Sequence, residues 1–191
     1  MKGILFKPDM HKAIREGRKT VTRRVIKPQP PVASLPVDLV GEFSVLGKDY
    51  RARYQVGEVV YIKEAWYADN NDKGELYYRA DWAEDQVDYV VPKWKSPLFM
   101  PAWAARDFIQ ITGVRAERLQ EISPGELCTT ELEREGIPYK NRFGIDFTTR
   151  LERYVLLEDF KKLWDSINKE HPWASNPWVW RYEFKRVERP T

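Results

Sequence analysis

Gly17-Arg18-Lys19-Thr20-Val21-Thr22-Arg23-Arg24 places four cations and two threonines in eight residues. The preceding residues 10–16 favour a helix that Asp9 would cap, and Gly17 holds the position that ends helices. The stretch therefore opens in a helix-to-strand turn. Where that turn ends decides which side chains meet. Along a regular strand Thr20, Thr22 and Arg24 face together and Lys19 faces away. Lys19 and Thr22 share a side only if the turn runs through Lys19 and the strand starts near Val21.

Working outward, Gly3-Ile4-Leu5-Phe6 reads as a short strand, and Lys27-Pro28-Gln29-Pro30-Pro31 opens a loop that runs to about residue 39. Residues 43–54 resemble a hairpin turning near Gly47-Lys48-Asp49. After a turn at Gly57-Glu58, Val59-Val60-Tyr61-Ile62-Lys63-Glu64-Ala65-Trp66 is the strongest strand signal in the chain. A weaker strand follows at 76–79, then a Pro- and Trp-rich covering loop at 83–101 and a strand at 109–119. Ser123-Pro124-Gly125-Glu126 starts a helix that Gly136-Ile137-Pro138 stops, and residues 139–152 carry no clear signal. Leu156, Leu157, Phe160, Leu163, Trp164 and Ile167 recur at helical spacing. A last strand spans 179–187. No repeat and no linker divides the chain. Strands dispersed among few helices predict one α+β domain over 1–191, its sheet curled into a barrel.

Composition narrows the function. The 191 residues hold 32 Lys and Arg against 29 Asp and Glu, a net charge of +3, so any nucleic-acid contact is local rather than a basic coat. One cysteine, Cys128, forms no internal disulfide, and MKGILFKPDM is too short an apolar run for a signal peptide. With no apolar stretch of spanning length, a cytoplasmic setting away from membranes is expected. His11, His171 and Cys128 are too few for a His/Cys metal site, which excludes a zinc deaminase of the H-x-E, P-C-x-x-C kind; carboxylate-bound Mg²⁺ stays open. No cofactor is expected, and no obligate protein partner is evident.

On the strand 59–66, Val60, Ile62, Glu64 and Trp66 share one face. If that face is buried, Glu64 is a desolvated carboxylate suited to moving protons. If Val59, Tyr61 and Ala65 are buried instead, Glu64 is a surface acid. The pattern leaves both open. The basic stretch likewise reads as a solvated patch, or as a site where a desolvated lysine activates a threonine hydroxyl. Bringing a lysine from about 10.4 to about 7.5 takes roughly 4 kcal/mol, part of which Arg18, Arg23 and Arg24 would supply by repulsion. His11, among polar neighbours, is expected to be exposed and His171 to end a helix. Trp173, Trp178 and Trp180 belong to a core, while Trp66 and Tyr67 are the better candidates to stack on a base.

Gly17, Lys19, Thr22 and Arg24 fill the G-x-K-x-x-T-x-R pattern and so resemble the signature of the ASCH domain family. Val56 to Trp66 is similar to that family's second block, a turn and strand ending in a functional glutamate, and Phe6-Lys7-Pro8 before a short helix also matches. SPLFMPAW and LWDSINKEHPWASNPWVW resemble the family's long bacterial and phage-associated branch. The resemblance implies a PUA-like fold, a small β-barrel with flanking helices, here with insertions at about 27–39 and 83–101 and a C-terminal helix-strand extension. Small bacterial members are amidohydrolases that cleave N4-acetylcytidine without a metal; another branch is reported as a ribonuclease, and others are thought only to bind RNA. Carried over, the resemblance implies catalytic roles for Lys19, Thr22 and Glu64. The expected substrate is an N4-acylated cytosine nucleoside, with Arg24 orienting it, Trp66 or Tyr67 stacking on it, and RNA as the alternative ligand.

Overall fold

The computed structural model describes residues 1–32, 35, 41–69, 74–82, 93–122, 127–137 and 150–190, and the side chains of these except at 127–130 and 150–154. Most of the loop after residue 32, residues 83–92, the helix start at 123–126, the stop at Pro138 and residues 139–149 lie outside this set.

The architecture is α+β, with a sheet at its centre and few helices. Nine strands occur among the described residues: β1 Gly3–Leu5, β2 Val21–Val25, β3 Glu42–Val45, β4 Lys48–Arg51, β5 Val59–Lys63, β6 Trp66–Ala68, β7 Leu76–Tyr78, β8 Phe108–Arg118 and β9 Trp178–Val187. The helices are α1 Pro8–Arg15, α2 Leu127–Arg134 and α3 Arg150–Ile167. Five strands form one sheet in the order β1-β5-β8-β9-β2, with β1 and β5 parallel and the other neighbours antiparallel. β9, expected in a terminal extension, is an inner strand between β8 and β2.

The sheet curls without closing. Its edges, β1 and β2, share no backbone ladder among the described residues, but Arg24 on β2 donates to the Leu5 carbonyl on β1 at 2.6 Å. Ile4, Val60, Ile62, Ile109, Ile111, Tyr182 and Phe184 fill the concave side, joined by Ile14 of α1 and by Phe43 and Tyr50 of the β3–β4 hairpin. That hairpin turns at Leu46 and Gly47, both at positive φ, slightly earlier than the sequence predicts. A second core lies between the helices and the sheet, where Leu132, Leu156, Leu157, Phe160 and Trp164 pack on Leu119 and Val179. Trp178 and Trp180 are buried as core, as expected.

The five residues of β5 stop before Glu64 rather than running on to Trp66. The Glu64 N–H donates to Met100 Sδ at 3.3 Å, and the chain leaves the sheet to pair Trp66 with Tyr78 in a separate two-stranded ribbon. Asp9 does not cap α1: Lys7 holds that position without a side-chain bond, Pro8 begins the helix, and Asp9 sits in the first turn facing its dipole. No helix among the described residues is long and apolar enough to cross a membrane.

Candidate functional site

The turn after α1 runs as the site requires. Gly17 adopts φ +74°, and the N–H groups of Arg18 and Lys19 both donate to the Ala13 carbonyl, at 2.9 and 3.0 Å. The Thr20 N–H then reaches Arg134 at the end of α2, and β2 starts at Val21. Breaking strand alternation in this way brings Lys19 and Thr22 to the wall of one cavity of about 290 Å³. Phe6, Met10, Phe160 and Trp164 give it an apolar lining, and Arg24 stands at its edge beside Leu5.

Lys19 is buried, and its ammonium donates to the Val21 carbonyl at 2.7 Å, the Glu135 carbonyl at 2.6 Å and Glu135 Oε2 at 2.9 Å. Burial pushes its pKa below the ordinary value, against the opposing charge of Glu135. For Glu135 burial alone would raise the pKa, but the charges of Lys19 and Arg23 outweigh it and hold the group down, ionised. The Thr22 hydroxyl has no hydrogen-bond partner among the described residues. A buried cation and a hydroxyl without a described partner in one cavity can polarise a carbonyl and attack it.

Behind this wall lies an ion network on the convex side of the sheet. Arg23 pairs across the ladder with Arg181, and Arg181 with Arg115. Three neighbouring guanidiniums would repel, but Glu117 takes Arg23 and Arg115, Glu131 takes Arg23 and Arg181, and Glu135 takes Arg23. The acids of α2 therefore dock that helix and hold the partner of Lys19 in place.

Glu64 is buried, which settles the two strand-face readings in favour of the desolvated one, yet it does not line the cavity of Lys19 and Thr22. Arg106 grips both its oxygens at 2.9 Å, and Arg15 approaches at 3.4 Å. The carboxylate that touches Lys19 is that of Glu135. Trp66, expected to stack on a base, also stands outside that cavity. It is buried with Trp103 edge-on at 5.6 Å and Lys95 over its ring at 4.6 Å, and it lines neither described cavity. Tyr67 is half-buried against Tyr77, likewise away from Lys19.

His11 is buried rather than exposed, with Nε2 2.9 Å from Asp107 Oδ2. Burial alone would raise the pKa of Asp107, but hydrogen bonds from His11 and Arg15 and the charge of Arg15 hold it well below the carboxylate range. His11, Glu64 and Asp107 offer three ligand atoms within 4.8 Å of one another. Their carboxylates are already occupied by Arg15, Arg106 and Arg186, and three guanidiniums make the cluster a poor place for a cation.

Sequence reasoning missed Glu135, Arg106 and Asp107. One signal for Glu135 was present: an acid at the C-terminal end of a helix opposes the helix dipole, so its place there implies a partner elsewhere.

No family model matches the chain, and no curated protein matches it. A solved structure with a detectable likeness is protein EF3133 from Enterococcus faecalis V583, of the family DUF984. It is 10% identical, with a TM-score of 0.43 over 100% of this chain and 84% of that one, too remote to carry an argument about fold or function.

Proposed function

We propose that the chain hydrolyses the amide of an N4-acylated cytosine nucleoside in the cavity shared by Lys19 and Thr22. One observation carries the reading: a buried lysine lines the same cavity as a threonine hydroxyl that has no hydrogen-bond partner among the described residues. The resemblance of Gly17, Lys19, Thr22 and Arg24 to the ASCH signature supplies the substrate class. Under it, the curled sheet is an open form of the PUA-like barrel.

In this reading the Lys19 ammonium, its proton affinity lowered by burial, first releases one proton to solvent, and the freed amine accepts the proton of the Thr22 hydroxyl as that oxygen adds to the acyl carbon. The ammonium so formed faces the oxyanion and returns the proton to N4 as the C–N bond breaks. Water then cleaves the Thr22 ester, its proton moving again through Lys19, and the carboxylic acid leaves. Glu135 positions Lys19, and Arg24 orients the nucleoside. Glu64, held by Arg106, keeps the β5 end in place and does not take the proton-returning role the resemblance gives it.

The three occupied donors of Lys19 favour a second reading, a non-catalytic module that grips RNA in the same cavity. N4-acetylcytidine incubated with purified protein and followed by absorbance separates the two. Conversion to cytidine by the wild type and not by Lys19→Met supports hydrolysis. Binding without conversion supports the module, and neither one sinks both.

A further inference from the structure

A second cavity, of about 630 Å³, shares Leu5 and Arg24 with the first. Its charged lining has one sign: Arg24, Lys27, Arg51, Arg53 and Lys63, with no carboxylate among the lining residues. In a chain whose charges nearly cancel, five cations around one hollow is a strong local excess. Lys27 and Arg51 have acidic partners, Glu170 at 2.9 Å and Glu42 at 3.8 Å, but these are exposed pairs that water and salt readily displace.

The other three make their hydrogen bonds and ring contacts with neutral groups among the described residues, the Glu135 charge acting on Arg24 without a direct bond. Arg24 donates to the Leu5 carbonyl at 2.6 Å and lies over the Phe6 ring. Lys63 donates to the Leu98 carbonyl at 2.8 Å, and Arg53 lies 5.6 Å from the centre of the Tyr54 ring. A guanidinium carries five N–H donors, so Arg24 keeps most of its donors for an anion. Carbonyls and rings compensate a cation weakly; a phosphate oxygen replacing them makes a stronger, charge-assisted bond. Arginine forks also match phosphate geometry better than they match a lone carbonyl.

We propose that this second cavity is a phosphate-binding subsite, and that the ligand reaching Lys19 and Thr22 is a phosphorylated nucleoside rather than a free one. Arg24, common to both walls, exchanges the Leu5 carbonyl for the phosphate and so couples anion binding to placement of the base. The anion subsite stands on its own lining; its link to a cytosine base rests on the function proposed above. The phosphate belongs either to a mononucleotide or to a polynucleotide chain.

Titration calorimetry at low salt tests this with inorganic phosphate, cytidine, cytidine 5′- and 3′-monophosphates and a short oligocytidylate. The wild type is expected to bind inorganic phosphate, and to bind one of the monophosphates about tenfold or more tighter than cytidine. Arg53→Ala and Lys63→Ala, each checked by circular dichroism, are expected to remove most of that gain. An oligocytidylate that binds tighter still, with a steeper salt slope, assigns the phosphate to a chain; equal affinity and slope assign it to a mononucleotide. Absent phosphate binding, monophosphates no tighter than cytidine, or gains unchanged in both variants overturn the subsite. Phosphate binding that persists while cytidine fails to bind overturns the nucleoside reading and leaves the subsite standing.

Discussion

Lys19 and Glu135 form a buried ion pair at 2.9 Å, and Glu135 also holds Arg23 at 2.8 Å. Removing the Glu135 charge leaves the buried Lys19 ammonium with neutral partners alone and takes one of three carboxylates from Arg23. Glu135→Gln is therefore expected to lower stability by about 3–5 kcal/mol, read as a shift in the urea midpoint at constant m-value. Glu64→Gln, which leaves Arg106 and Arg15 facing a neutral amide, is expected to shift the midpoint in the same direction. Acid has a related effect through Asp107 and Glu135. Both have folded pKa values depressed below their unfolded ones, so the stability they contribute is present above about pH 4 and is lost as pH falls through the folded values. The urea midpoint should hold between pH 7 and pH 5 and drop below pH 4. Asp107→Asn should start lower and fall less steeply.

At the level of elements, two glycines make the junction between α1, β2 and α2. Gly17, at φ +74°, has open space where a side chain would go, whereas a Cβ at Gly136, at φ +84°, would lie 3.1 Å from Lys19 Cβ and Cδ. Gly17→Ala is expected to cost about 1 kcal/mol from backbone strain alone. Gly136→Ala adds a push on Lys19, so it should cost more and also lower turnover. Comparing denaturant midpoints with turnover for the two variants checks this. The first junction was legible because a helix stop is local chemistry: Gly17 and the strand residues after it sit within one short stretch. The β5 signal was legible for the same reason, but strand parity left the burial of Glu64 open, and the strand ends before it. Parity says nothing about what stands opposite. Arg106 and Asp107 come from the approach to β8, and Glu135 from the end of α2, at separations that no local pattern encodes. His11 misled for a related reason: it shares the buried face of α1 with Met10 and Ile14, and the carboxylate that satisfies it there, Asp107, is distant in sequence.

Over the whole molecule, the curled sheet leaves a seam where β1 and β2 face each other, and both described cavities open along it, with Leu5 and Arg24 in each wall. The ion network under α2 supports the seam from the convex side, and the hairpin covers the concave core. Under the proposed function, Thr22 does chemistry where the sheet fails to close. The most direct test is single-turnover cleavage of N4-acetylcytidine by wild type and Thr22→Val, with affinity and circular dichroism measured alongside. Because the hydroxyl has no hydrogen-bond partner to lose among the described residues, the variant should fold and bind as the wild type does while cleavage disappears. Cleavage undiminished in Thr22→Val, or absent from the wild type, would contradict the account.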